Sequence, residues 1–262
     1  MYIPIFEFNL KSMCWGSIMK KILIISAMAD VELDYLKSKL IDIKEQKENI
    51  CTFYIGKMYN SEVILCDSNI GLINTASAVT LAIEMFKPDY IINQGSAGGF
   101  DKNIHKSDIV IGTQCINISS YVTKSREEGK GSNVEDWELV SFIVGEKDRL
   151  IKHEAGKELL EIVKKVETRY QDGKVHYGII GSGDVWNKEY DRILYLNQKY
   201  GVLCEDMEGV AVYAVANKYN IPAIDVRVIS DNEILNEEYE RDISINSQKF
   251  VELIIAGIKS NS

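Results

Sequence analysis

The chain has 262 residues, 46% of them hydrophobic, with a formal net charge of -9 at pH 7. That is enough apolar material for one sizeable core, and the length suits a single α/β domain. The acidic balance repels phosphate backbones, which makes nucleic acid and anionic membrane poor partners, and no apolar run of about 18 residues is present to span a bilayer.

Residues 1–19 lie ahead of the first clear strand and lack the basic start of a signal peptide. They are read as a peripheral N-terminal extension, with one domain over 20–262. With only three prolines, no Pro/Gly/Ser-rich linker and no internal repeat, nothing divides that domain further. The five cysteines (Cys14, Cys51, Cys66, Cys115, Cys204) form no CxxC pair. An odd number scattered through apolar segments points to buried free thiols in a reducing cytoplasm.

In chain order, KILIISA (21–27) is a short apolar run and predicts a buried strand. Residues 30–46 place Leu33, Leu36, Leu40 and Ile43 at helical spacing and predict a helix. Residues 52–58 and 62–68 predict a strand pair joined by a turn at Tyr59, Asn60 and Ser61. A helix rich in small residues follows over 73–86, then strands over 89–95 and 107–118, an amphipathic helix over 154–170 and a strand over 175–183. Residues 207–219 predict a helix, 223–230 a strand, and Phe250, Leu253, Ile254 and Ile258 mark the face of a last helix. Strands alternating with helices imply a three-layer α/β/α architecture around a mixed, largely parallel sheet.

In open α/β sheets ligands bind beyond the carboxyl ends of the strands. Those positions carry Glu32 after the first strand, Ser68, Asn69, Ile70 and Gly71 after the next parallel one, and Gly95, Ser96, Ala97, Gly98 and Gly99 after 89–94. Gly181, Ser182, Gly183 and Asp184, then Asp206, Met207 and Glu208, then Ser230 and Asp231, complete one rim of glycines and carboxylates. Each has a plain structural role available. A Gly-rich turn serves positive φ, Glu32 and Glu208 favour a helix dipole in a first turn, and Asp206 or Asp231 can cap a following helix. Arg227 is harder to explain that way, because a guanidinium in an apolar strand needs a carboxylate partner or a ligand.

GSAGG (95–99) matches neither the dinucleotide nor the P-loop glycine pattern, and no GxSxG elbow is present. His105, His153 and His176 share no ligand spacing, so neither a metal nor a cofactor is expected.

Taken together and in order, SAMADVE, SNIG, NQGSAGG, GSGDVW, DMEGVAVYAVA and RVISD resemble the nucleoside phosphorylase/hydrolase family. Within it they most resemble the 5′-methylthioadenosine/S-adenosylhomocysteine nucleosidases, from about Lys21 to Ser260. The resemblance implies hydrolysis of the N-glycosidic bond of a 5′-substituted adenosine, by a cytoplasmic homodimer acting on a small purine nucleoside. It implies that Glu32 activates the attacking water and that Asp231 hydrogen-bonds and protonates the purine N7. Met207 and Glu208 would hold the ribose, Trp186 would stack on the base, and Ser68, Arg227 and Ser230 would lie near the water. Ile70, Gly71, Ser96, Ala97, Gly98 and Asp206 would complete the substrate pocket.

Phosphorylases of the same family bring arginines to a phosphate site. Here Asn93 and Gln94 precede the GS pair and the 26–33 segment has no Arg or Lys, so water is the expected nucleophile. Three departures stand out. SAMA (26–29) replaces the common GAME, Asp206 replaces a usual Glu, and 117–138 does not follow the nucleosidase pattern for the pocket of the 5′-substituent.

Overall fold

A computed structural model describes residues 19–143, 145 and 149–258. Residues 1–18 of the expected N-terminal extension, Cys14 among them, lie outside the described residues, as do the last four residues. The elements in chain order are β1 (Lys20–Ser26), α1 (Ala29–Glu32), α2 (Asp34–Lys39), β2 (Ile41–Lys47), β3 (Thr52–Met58), β4 (Ser61–Asp67), α3 (Leu72–Phe86), β5 (Tyr90–Gly99), β6 (Ile109–Asn117), β7 (Tyr121–Val122), β8 (Glu138–Leu139), β9 (His153–Glu154), α4 (Lys157–Val166), β10 (Val175–Ser182), α5 (Tyr190–Tyr200), β11 (Val202–Asp206), α6 (Gly209–Tyr219), β12 (Ala223–Asp231) and α7 (Ile245–Gly257).

Ten of the strands form one mixed sheet in the order β11-β10-β6-β12-β5-β1-β4-β3-β2, with β9 attached to β6. β1 lies parallel to β4 and β5, and β5 parallel to β12. The meander β2-β3-β4 and the β6–β12 pair are antiparallel. β11 also pairs with the far end of β5, so β5, β12, β6, β10 and β11 close into a ring. That closure brings Cys204 and Glu205 opposite Gly99 and Gly98.

The middle of the sheet is apolar because it is covered on both faces. Ile22, Leu23, Ile24 and Ile25 of β1, Ile91 and Ile92 of β5, and Ile224 and Val226 of β12 are all fully buried. Such continuous aliphatic runs are what a strand packed on both sides requires. α3 and α6 pack on each other and α7 packs against α2 and α4, with Phe250, Val251, Ile254 and Ile255 of α7 in the core. The mixed sheet with flanking helices expected from the sequence is present.

Three expectations are corrected. The helix over 30–46 breaks at Leu33 and ends at Lys39, and Ile41–Lys47 is instead an edge strand paired with β3. Leu33 and Leu36 are fully buried and fit the helical pattern, whereas Ile41 and Ile43 are 64% and 46% exposed. Their place is decided by main-chain pairing at a sheet edge, which side-chain periodicity does not report. Secondly, GSAGG is not a turn, because β5 runs through Gly99 and is paired on both sides at Gly98. Thirdly, α5 and β11 were not foreseen. Polar residues interrupt the apolar pattern of the first, and the second is a five-residue strand ending in acids.

Candidate active site

The carboxyl ends of β1, β5, β11 and β12 meet around a cavity of about 230 Å³. Glu32, Ile70, Ser96, Ala97, Gly98, Trp186, Asp206, Met207, Glu208, Arg227, Ser230 and Asp231 all line it. Two residues expected at the site stand behind its walls. Ser68 is fully buried and its hydroxyl donates to the carbonyls of Ser26 (3.1 Å) and Asn69 (3.0 Å), tying the end of β4 to that of β1. Gly71 reaches the site through its N–H, which donates to Glu208 Oε1 at 3.2 Å.

Glu32 closes the short helix α1 and folds back on its own strand. Its Oε2 accepts from the Ser26 hydroxyl (2.7 Å) and the Ala27 N–H (3.3 Å). Its Oε1 accepts from the N–H (3.0 Å) and hydroxyl (3.3 Å) of Ser96 on β5. Only glycine fits between this carboxylate and Arg227, because a Cβ on Gly95 would stand 2.7 Å from Glu32 Oε1 and 2.8 Å from Arg227 Nη1.

Arg227 is 2% exposed and has the partners its burial demands. Its Nη2 lies 2.7 Å from Asp206 Oδ2 and 3.2 Å from Glu208 Oε2, and its Nε donates to Asp225 Oδ1 at 2.9 Å. Burial works against the guanidinium charge, but the carboxylates of Asp206, Asp225 and Glu208 hold its pKa well above the ordinary value. Asp206 also does what a cap does, accepting from the Gly209 N–H at the start of α6. Burial pushes the Glu208 carboxyl up to about 7, opposed by Arg227 and reinforced by Asp206 and Glu32.

Asp231 sits at the last position of β12, opposite Gly98. It does not cap the next segment. Asn232 does so, its side chain accepting from the Ile234 N–H. Among the described residues Asp231 is left with one donor, the Ser230 hydroxyl at 2.6 Å from its Oδ1. Burial pushes its carboxyl above the usual range, with the Ser230 hydrogen bond opposing. Trp186 stands at the mouth, 56% exposed, with the Tyr239 ring 5.8 Å away edge to face.

Comparisons with known proteins identify the family and the fold. A family profile described as "Phosphorylase superfamily" matches residues 21–258. The chain belongs to the phosphorylase superfamily. It is 30% identical to the 5′-methylthioadenosine/S-adenosylhomocysteine nucleosidase of an Exiguobacterium species, over 88% of this chain and 95% of that protein. It is 27% identical to the enzyme of the same name from a Geobacillus species, over 92% and 98% of the two chains. Among solved structures, the nucleosidase from Neisseria meningitidis in complex with methylthio-immucillin-A superimposes with a TM-score of 0.75 at 25% identity, covering 92% of this chain and 100% of that one. The nucleosidase from Colwellia psychrerythraea in complex with adenine also gives 0.75 at 25% identity, covering 94% and 98%.

Within this superfamily fold the cavity has further walls, of which Glu205 and Tyr239 were not singled out in the sequence. Ala27, Met28, Val185, Glu205 and Tyr239 also line it. Ala27 and Met28 follow β1 directly, so strand-end reasoning reaches them. Tyr239 lies in a segment without apolar periodicity, and Glu205 belongs to the strand that was not foreseen.

Proposed function

We propose that this chain hydrolyses the N-glycosidic bond of a 5′-substituted adenosine, releasing adenine and the 5′-substituted ribose, with water as the nucleophile. The observation that carries this reading is the charge of the pocket. Five carboxyl groups (Glu32, Glu205, Asp206, Glu208 and Asp231) line it with a single guanidinium, and three carboxylates already engage that guanidinium. A phosphate dianion finds no free cation among these walls, whereas a neutral nucleoside and a water molecule meet no such repulsion.

The step needs two proton transfers. Water oxygen bonds to C1′ and gives a proton to Glu32, the C1′–N9 bond breaks, and its electron pair passes into the purine. Asp231 delivers a proton to N7, so the base leaves neutral. Positive charge grows on the ribose during this step, and Glu208, holding the ribose hydroxyls, lies where a negative charge stabilises it. Met207 packs beneath the sugar and Trp186 against the base. Proton transfer by a positioned group is worth roughly 10²–10⁴-fold.

Adenine release from 5′-methylthioadenosine, measured with and without phosphate, tests the reading. Equal rates in both are expected. Release that requires phosphate would replace the hydrolase by a phosphorylase, and tight nucleoside binding without release would replace it by a binding protein.

We further propose that the working form is a homodimer. Ile73 and Phe142 are 79% and 72% exposed and line a second, apolar groove that also takes in Ile143, Val210 and Ala214. Exposed apolar surface of this kind marks an association face. Sedimentation equilibrium showing a dimer, weakened by Phe142→Asp, is the expected result. Among the described residues no helix is long and apolar enough to cross a membrane, and Cys51, Cys66, Cys115 and Cys204 are buried and free. Free thiols suit the reducing cytoplasm in which we place the enzyme. We also take 20–262 as one domain, since the ring of strands and both helical groups share one sheet.

A further inference from the structure

The proposed mechanism leaves Glu205 without a task. This residue is 5% exposed and lines the same cavity as Trp186 and Asp231. Its position follows from the closure of the strand ring. β11 sets Glu205 opposite Gly98 from one side, and β12 sets Asp231 opposite Gly98 from the other. Residues directly opposite one another on paired strands project to the same face of the sheet. The two carboxyl groups therefore flank a bare glycine floor, where a Cβ would already stand 3.4 Å from Asp231 Oδ2.

Among the described residues Glu205 is held by one, Asn187. Its Oε1 accepts from the Asn187 N–H at 2.6 Å, and its Oε2 from the Asn187 side-chain amide. Among the described residues no cation forms an ion pair with it. The charged groups around it are Asp206 on its own strand, Asp231 on β12 and, on α5, Arg192, whose Nη2 donates to the Ile118 carbonyl at 3.4 Å. Burial is the largest influence and pushes the carboxyl up to about 7, with Asn187 opposing and Asp206 and Asp231 adding to it. A carboxyl so placed changes charge within the neutral range.

We propose that Glu205 is a specificity-determining residue that reads the substituent at the purine 6-position. The inference rests on the reading that Asp231 meets N7. The 6-substituent is the neighbour of N7 on the same edge of the base, and Glu205 is the carboxyl that neighbours Asp231 across Gly98. An ionised Glu205 accepts a hydrogen bond from a 6-amino group and opposes the lone pairs of a 6-oxo group. A protonated Glu205 donates to a 6-oxo group instead. Burying an acceptor against an acceptor leaves both unpaired, and sites built on such hydrogen bonds discriminate strongly.

The test is the ratio of kcat/KM for 5′-methylthioadenosine to that for 5′-methylthioinosine, followed from pH 6 to pH 8. Both substrates carry N7 and the same sugar, so titration of Asp231 and Glu208 affects numerator and denominator alike and cancels. The wild-type ratio is expected to rise at least tenfold across this range. In Glu205→Gln, whose amide both donates and accepts, the ratio is expected to be lower at pH 8 and independent of pH. A wild-type ratio that is flat, or that falls as pH rises, overturns the proposal. So does a Glu205→Gln variant that keeps the wild-type profile. If Glu205→Gln does not fold, the wild-type profile alone still decides. Failure of the underlying reading looks different, because then Asp231→Asn releases adenine from 5′-methylthioadenosine at the wild-type rate.

Discussion

Glu32 and Asp231 serve one pocket from two stations on β5 and are held in different ways. Glu32 abuts Gly95 and Asp231 abuts Gly98, three residues along a strand and so about 10 Å apart. That span suits a water on one side of C1′ and the N7 edge of the base on the other. The oxygens of Glu32 accept four hydrogen bonds from Ser26, Ala27 and Ser96. Asp231 accepts one, from Ser230, and burial raises its pKa. Four donors fix the Glu32 carboxylate between β1 and β5, whereas Asp231 has less to offset the burial that favours its neutral acid. In the proposed mechanism this contrast makes Asp231 the carboxyl that supplies a proton and Glu32 the one that receives it, although both line the same cavity.

The sharpest way to break that contrast is Asp231→Asn. The amide keeps the shape and can still touch N7, but it has no proton to deliver. Adenine release is expected to fall roughly 10³–10⁴-fold, at the upper end of general acid catalysis, while equilibrium binding of 5′-methylthioadenosine is retained. Wild-type turnover in this variant removes Asp231 from the proton-donor role. Glu32→Gln is expected to cost somewhat less, roughly 10²–10³-fold. The two variants separate on a 5′-substituted riboside whose leaving group is p-nitrophenolate, which departs without being protonated. There Asp231→Asn should recover most of the wild-type rate and Glu32→Gln should not. Equal losses in both variants on that substrate contradict the division of labour.

Gly95→Ala probes the geometry rather than the chemistry. The new methyl group would stand 2.7 Å from Glu32 and 2.8 Å from Arg227, so one or both must move. A displacement near 1 Å is worth roughly 10²-fold in rate. A loss of about that size is expected in kcat, with the thermal midpoint shifted by only a few degrees. An unchanged kcat means that the water end tolerates more slack than its packing suggests.

How much of this was legible beforehand depends on what kind of contact fixes each residue. Glu32 and Asp231 were visible because a carboxylate soon after an apolar strand is rare enough to notice, Asp206 and Glu208 because acids gather at the start of the 207–219 helix, and Arg227 because a guanidinium inside β12 demands partners. Six short motifs in order added the roles. Glu205 escaped because its meaning is set by the β11–β5 pairing, a contact between segments more than a hundred residues apart in the chain. Ser68 shows the reverse error of emphasis. Its strand-end position is as predicted, yet its hydroxyl is spent on the backbone of β1, and only coordinates show which way a serine turns. The strand at Ile41–Lys47 was missed for a related reason, since an edge strand with exposed isoleucines carries no burial signature.

The smallest expected effect concerns the sugar, which lies between the two stations. In the proposed mechanism Glu208 must be ionised to hold the ribose hydroxyls and to favour a cationic sugar, but burial raises its carboxyl to about 7. The sign follows directly. As pH falls through 7 the residue takes up a proton, and kcat/KM is expected to fall about tenfold per unit, so that the rate constant at pH 6 is about a tenth of its plateau. Asp231 acts in the other direction, losing its proton as pH rises through its own raised value. In a Glu205→Gln background, where that second carboxyl no longer titrates, Glu208→Gln should remove the acidic limb while the alkaline limb persists at a lower overall rate. Because kcat/KM reports groups of the free enzyme, the limb is read at low substrate. Were it to survive Glu208→Gln in that background, the titrating group would be another carboxyl of the pocket, and the negative charge beneath the sugar would not be the one that governs ribose binding.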